Sequence, residues 1–239
     1  MPRHARVMIG RVPVHIIQRG NNRGVCFYAD EDYAQYLDWL QELAAKFKCQ
    51  VHAYCLMTNH VHLLLTPARA EGCALLMKNL GQRYVQYVNR AYQRSGTLWE
   101  GRFRSCLLQA EDYVLACYRY IELNPVRANM VRHPREYRWS SYRSNAEGRG
   151  SRLLVTHEQY ERLGRTAEAR REAYRELFRA HVDQAVVEQL RAATNGGYVL
   201  GNGRFQSQIA KALGRRVVPG KAGRPRSKSR QDTEGQSAE

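Results

Sequence analysis

The chain has 239 residues, 44% of them hydrophobic, which suffices for one globular core with a small appendage. Its net charge is +16 with a pI near 9.9, and most of the cations are arginine, which pairs bidentately with phosphate and stacks on bases; the balance favours a polyanionic partner over an acidic or neutral one. No apolar run approaches a membrane span, none of the six cysteines has zinc-knuckle or CxxC spacing, and Met1-Pro2-Arg3-His4-Ala5-Arg6 leads into too short an apolar stretch for a signal peptide, so a cytoplasmic, reduced protein with no membrane partner is expected.

Val12 to Ile17 is rich in β-branched residues and reads as a strand, with Pro13 placing its start at an edge. Gln18-Arg19-Gly20-Asn21-Asn22-Arg23-Gly24 is a polar loop carrying two arginines. Asp30 to Phe47 predicts a helix capped by Asp30 or Asp32, with Tyr33, Tyr36, Leu37, Leu40, Leu43, Ala44 and Phe47 as its apolar stripe. Val51 to Met57 and His60 to Leu65 read as a hairpin turned at Thr58-Asn59. Glu71 to Tyr92 is a second amphipathic helix with Leu76, Leu80, Tyr84, Tyr87 and Val88 inward. Leu98 to Leu108 contains a strand, and Glu111 to about Leu123 is a third helix stopped by Pro125.

Beyond Arg132 the signals weaken. A coda to about Gly150 holds Trp139-Ser140-Ser141-Tyr142. Glu158 to Arg179 is charged and helical, Val182 to Ala193 is amphipathic, Gly196 and Gly197 break the chain, and Phe205 to Leu213 is a further short helix. Ser207 to Arg216 faintly resembles part of a helix-turn-helix, against the plainer reading of an amphipathic helix before a basic tail. Gly223-Arg224-Pro225-Arg226 is similar to the core of a minor-groove AT-hook, or serves as a phosphate-binding tail. The divisions expected are a first domain over 1–145, a helical extension over 146–219 that could serve as an accessory DNA-binding region, and a disordered basic tail over 220–239.

The order strand, helix, strand, strand, helix, strand predicts an α+β fold: a ferredoxin-like βαββαβ antiparallel sheet with two helices on one face, a following helix that holds Tyr120, and a mainly helical basic C-terminal extension. His60 and His62, two apart on a strand, point to one face. Tyr120 and Asn124, four apart on a helix, also share a face. A helix laid across the open sheet face brings the four together.

A lone His-x-His is more often a satisfied pair than a ligand pair. Here Leu63-Leu64-Leu65 marks a central strand, and the amide oxygen of Asn124 offers a hard third donor. Two imidazoles and one amide leave positions for water and phosphate oxygens, which suits Mg²⁺ or Mn²⁺ better than structural zinc. Among fifteen tyrosines, Tyr120 alone lies one helical turn before Asn124. A phenol titrating near roughly 10 is a weak nucleophile at neutral pH, and a cation on the scissile phosphate relaxes that requirement. Arg19, Arg23, Arg102 and Arg104, at strand ends or in adjoining loops, are the candidate DNA-binding cations. Trp99, Phe103, Tyr84, Tyr87 and Tyr92 offer stacking surfaces, though most suit a core.

Asn59-His60-Val61-His62 before three leucines resembles the HUH motif of single-tyrosine transposases. Tyr120-Ile121-Glu122-Leu123-Asn124-Pro125-Val126-Arg127-Ala128 resembles the tyrosine segment of the REP-associated branch, and Gln18 to Arg23 and Gly96 to Phe103 look like it too. The resemblance covers about residues 10 to 145. It implies a substrate of single-stranded DNA carrying an imperfect hairpin, and cleavage to a 5′-phosphotyrosine and a free 3′-OH. By position it makes Tyr120 the nucleophile and His60, His62 and Asn124 the metal ligands. Insertion-sequence members usually carry glutamine where this chain has Asn124; asparagine fits the REP-associated branch, whose members need not mobilise themselves.

The expected function is therefore a metal-dependent single-strand DNA endonuclease and strand transferase, acting in transposition or recombination as a monomer or homodimer. A non-catalytic hairpin-binding regulator is the rival from another class, and a water-using phosphohydrolase is a third reading.

Overall fold

The structure, a computed structural model, describes residues 6–179 and 183–220. Strand β1 (Val14–Arg19), helix α1 (Asp30–Lys46), strands β2 (Cys49–Met57) and β3 (His60–Pro67), helix α2 (Gly72–Ala91) and strand β4 (Arg104–Leu108) follow in βαββαβ order. Helix α3 (Ala110–Glu122) comes next, then the helical turn α4 (Asn124–Arg127). Short α5 (Tyr142–Glu147) and α6 (Glu158–Glu161) lead to α7 (Ala167–Arg179), α8 (Gln184–Gly196), the two-residue strand β5 (Val199–Leu200) and α9 (Gly203–Leu213). The sheet order is β2-β3-β1-β4-β5; all pairs are antiparallel except β4 with β5. This is the α+β, ferredoxin-like arrangement expected from the element order, extended by one short parallel edge strand.

Period-two alternation divides the residues between two cores. Val14, Ile16, Val61, Leu63 and Leu65 face α1 and α2, meeting Tyr36, Leu40, Leu43, Leu76, Leu80 and Tyr84. A bulge between Val51 and Ala53 shifts the register of β2, so Ala53 and Cys55 join Leu64, Cys106 and Leu108 on the opposite face. That second face is covered by Val114, Cys117 and Ile121 of α3 and by Val187 and Leu190 of α8. Each such buried aliphatic side chain contributes about 1.5–3 kcal/mol of transfer free energy. All six cysteines are buried and free, as small hydrophobes rather than a metal or redox motif.

Several local readings change. Strand β1 lies in the middle of the sheet rather than at an edge, because β3 and β4 pair with it on either side. Pro13 precedes the first ladder residue, so its missing N–H costs no sheet bond. Helix α1 is tied at its start by Asp32, whose carboxylate accepts from the backbone N–H of Tyr28 (2.7 Å) and Ala29 (3.0 Å). Pro125 does not simply stop a helix: α3 ends at Glu122, and Pro125 sits in the first turn of α4, where its lacking N–H is harmless. The charged stretch from Glu158 to Arg179 is two helices, interrupted around Gly164. Helix α8 ends at Gly197, which takes the left-handed conformation (φ 70°) as its C-cap.

The loop after β1 makes a tight 3-10 turn, Asn21–Arg23, with Asn22 and Arg23 at positive φ. Gly20 has no room for a side chain there, since a Cβ would lie 2.2 Å from the Gly24 carbonyl oxygen. No helix among the described residues is long and apolar enough to cross a membrane. The start of the predicted 182–193 helix, the Gly223–Arg226 segment and nearly all of the predicted 220–239 tail lie outside the described residues.

Candidate active site

The second sheet face carries the candidate site residues. On β3 the residues His60, His62 and Leu64 point toward α3, and β1 places Arg19, Ile17 and His15 directly opposite them. Helix α3 lies across β2 and β3, and α8 lies across β4 and β1. Their meeting line runs over the histidines.

Tyr120 of α3 therefore sits on the imidazoles. Its ring centroid is 5.6 Å from that of His62 and 5.6 Å from that of His15, both edge-on. His60 and His62 are 5.0 Å apart, ring to ring. Asn124, one turn beyond Tyr120, donates its side-chain amide to the carbonyls of Tyr120 (3.0 Å) and Ile121 (3.1 Å), satisfying the C-terminal carbonyls of α3. That commits the NH₂ group and leaves the amide oxygen as the atom available to a cation. Tyr118, by contrast, points away into a cluster with Tyr160 and Tyr174.

The two imidazoles each keep one ring nitrogen in reserve, which is the chemistry a divalent ion would need from them. His60 Nδ1 lies 2.6 Å from Asn59 Oδ1, and His62 Nδ1 lies 2.9 Å from His15 Nε2, so on each candidate ligand the Nε2 remains. Metal ligation needs neutral imidazole. Burial, aided by Arg19, pushes His60 down to about 4. Burial, with His15, His60, Arg127 and Arg19 adding to it, holds His62 well below the ordinary histidine range. Among the described residues no group of three His, Cys, Asp or Glu side chains is arranged for a metal, so a two-imidazole site needs the amide oxygen or substrate to complete it.

The cations divide. Arg19, Arg102 and Arg104 line a cleft of about 540 Å³ together with Arg6, Ile17, Phe103, Thr194 and Asn195; His60, His62, Tyr120 and Asn124 do not line it. Arg104 is oriented by Asn195 Oδ1 (3.0 Å), and Arg6 lies 3.6 Å above the Phe103 ring. Arg23 does not line this cleft; it stands exposed on the 3-10 turn, with its carbonyl accepting from Asn59 Nδ2 at 3.1 Å. Of the aromatic candidates, Trp99, Phe103 and Tyr84 are core residues.

Two members of the site escaped sequence reasoning. His15 is one; the strand alternation that puts it on the face of Ile17 and Arg19 was available, but its neighbours depend on sheet register. Arg127 is the other. Its guanidinium lies 4.5 Å over the Tyr120 ring and Nη2 donates to the Tyr120 carbonyl, while Nε and Nη1 are buried without partners. Burial holds its pKa below the usual arginine value, so a cation with unspent donors waits beside the phenol.

The same helix is anchored by Glu122, which is fully buried. Its carboxylate accepts from Ser141 Oγ (2.5 Å), Asn145 Nδ2 (2.8 Å) and Tyr174 Oη (2.7 Å). Burial outweighs these bonds and pushes the carboxyl up to about 7.

Comparison with known proteins agrees with the fold. Residues 9–124 match the family model described as IS200-like transposase. The solved structure of a REP-associated tyrosine transposase bound to a REP hairpin superposes with a TM-score of 0.50 at 15% identity, over 66% of this chain and 93% of that one. A transposase candidate from Deinococcus radiodurans R1 aligns at a TM-score of 0.36 and 18% identity, over 54% of this chain and 92% of that one. No curated protein matches the chain.

Proposed function

Since residues 9–124 belong to the IS200-like transposase family, we propose that this protein cleaves and rejoins single-stranded DNA at hairpin sequences through a covalent tyrosyl intermediate. The observation that carries the proposal is the packing of Tyr120 against His62, with His60 beside it and Arg127 above it. A binder of hairpins has no need for that convergence. The REP hairpin held by the structural neighbour is the model for the substrate class.

In this reading the Tyr120 oxygen attacks the scissile phosphorus. A P–O bond to Tyr120 forms and the bond to the 3′ oxygen breaks; the phenol proton leaves and the 3′ oxygen takes one up. The phosphodiester energy is kept in the phosphotyrosine, so a second 3′-OH can be joined without a nucleotide cofactor. His60, His62 and Asn124 would hold Mg²⁺ or Mn²⁺, which when bound neutralises charge on the phosphate oxygens. Arg127 donates its free N–H groups to the same phosphate, and Arg19, Arg102 and Arg104 guide the flanking strand by its backbone.

Incubation of the protein with labelled single-stranded hairpins and Mn²⁺ tests this. The wild type should yield a protein–DNA adduct, and Tyr120→Phe should bind the hairpin but form none. An adduct surviving in Tyr120→Phe makes the nucleophile assignment wrong. Wild-type cleavage with no adduct points to water as nucleophile, and binding without cleavage points to a hairpin-binding regulator.

A further inference from the structure

The proton positions around His62 can be read from one committed hydroxyl. Thr194, on the last turn of α8, donates its Oγ1–H to the Leu190 carbonyl at 2.7 Å. Its single hydrogen is thereby spent, so toward His15 Nδ1, 2.8 Å away, Thr194 can only accept. His15 is therefore protonated on Nδ1. A neutral imidazole carries one N–H and one bare nitrogen, so His15 Nε2 is bare and accepts. The 2.9 Å contact with His62 Nδ1 then requires the hydrogen to be on His62. The lone pair of His62 is left on Nε2.

The geometry around this relay agrees. The His15 and His62 rings are within 4° of parallel with centroids 5.2 Å apart, which is the nitrogen–nitrogen distance plus one ring radius on each side. They meet end-on, with the N–H aimed along the partner's lone pair, rather than face to face. Cys106, opposite His15 on β4, puts its sulfur 3.1 Å from Thr194 Oγ1. With the hydroxyl hydrogen committed, the thiol donates, and both lone pairs of the threonine oxygen are used. His60 has a local counterpart: Asn59 accepts from its Nδ1, and Asn59 is itself oriented by donating to the Arg23 carbonyl.

We propose that Thr194 and His15 are positioning residues that lock His62 in the Nδ1–H tautomer and so present its Nε2 to the divalent ion. This rests on the metal-dependent reading above. It also assigns a task to the C-terminal extension: Thr194 lies outside the family-matched segment, yet it sets the orientation of a ligand inside it. Partners of this kind hold a ligand ring against rotation and fix which nitrogen is basic; removing them typically costs about 10–100-fold in metal affinity.

Two measurements on the full chain test the proposal. In the metal-free protein labelled with ¹⁵N-histidine, long-range proton–nitrogen correlation should show His15 and His62 both as Nδ1–H tautomers. An Nε2–H tautomer at His62 overturns the relay without any mutation. Mn²⁺ affinity, read by electron paramagnetic resonance, should fall about 10–100-fold in His15→Leu and in the near-isosteric Thr194→Val. It should return to within a few-fold of wild type in His15→Gln, whose amide can accept from His62 and donate to Thr194. Unchanged Mn²⁺ affinity in folded His15→Leu and Thr194→Val overturns the proposal. A wild type that shows the Nδ1–H tautomer but binds no Mn²⁺ sinks the metal-dependent reading instead.

Discussion

Glu122 makes the folded protein hold a proton that the unfolded chain releases. Its carboxyl is fully buried, it accepts three hydrogen bonds, and burial raises it from 4.5 to about 7. Because the folded value is the higher one, the native state binds more protons between those two pH values, and this group's contribution to stability declines as pH rises from about 4.5 through 7. At 1.36 kcal/mol for each tenfold difference in proton affinity, the full effect is about 3 kcal/mol. The ionisable neighbours Cys55, Tyr118 and Tyr174 are themselves raised and do not titrate in this window. The buried histidines act in the opposite sense. Burial lowers His15 to about 3, and His52 and His60 to about 4, so each favours the folded state more as pH rises toward 6.5. The wild-type profile alone therefore mixes both. Subtracting the profile of Glu122→Gln isolates the carboxyl, since the amide stays neutral and keeps an acceptor for Ser141 and Asn145. Urea denaturation at pH 5 and pH 8 should show wild type losing about 2.5 kcal/mol relative to the variant across the interval, most of the full effect. For a chain of this size that corresponds to roughly 5–10 °C in Tm. Parallel profiles for the two proteins would refute the assignment of the raised pKa to Glu122.

Two further outcomes follow from the cations. Replacing Arg19, Arg102 or Arg104 singly by Gln should weaken binding to a single-stranded oligonucleotide and reduce the slope of log K against log salt by about 0.7 for each phosphate that is no longer neutralised; titrations between low and physiological salt measure it, and an unaltered slope removes that residue from the DNA path. Arg127→Met should slow adduct formation about 10²–10³-fold while leaving hairpin affinity nearly intact, as expected for a donor that acts on charge developing in the transition state. Equal adduct rates in single-turnover assays would mean that Arg127 only packs on Tyr120.

Much of the fold was legible locally. The stripe of α1, the hairpin turned at Thr58-Asn59 and the β-branched run of β1 are short-range patterns, and the βαββαβ order they spell admits few sheet arrangements. Boundaries were less so: the break near Gly164 and the helical restart at Pro125 depend on packing and capping that a charge pattern does not carry. The distribution of arginines shows the same limit. Arg19 and Arg104 follow from strand ends, but only the folded chain separates the cleft-lining Arg102 from the exposed Arg23.

The sequence by itself determined which side chains share a face. Period two puts His60 with His62, and a helical turn puts Tyr120 with Asn124, because local backbone geometry repeats regardless of what lies beyond it. The tertiary structure decided what those faces meet. Sheet register set His15 diagonal to His62, the crossing of α3 laid Tyr120 on both rings, and α8 delivered Thr194 to His15 across a separation of 179 residues. Such contacts are made between elements whose mutual placement is chosen by burial of apolar area, which has no direction and so leaves no local mark in the sequence.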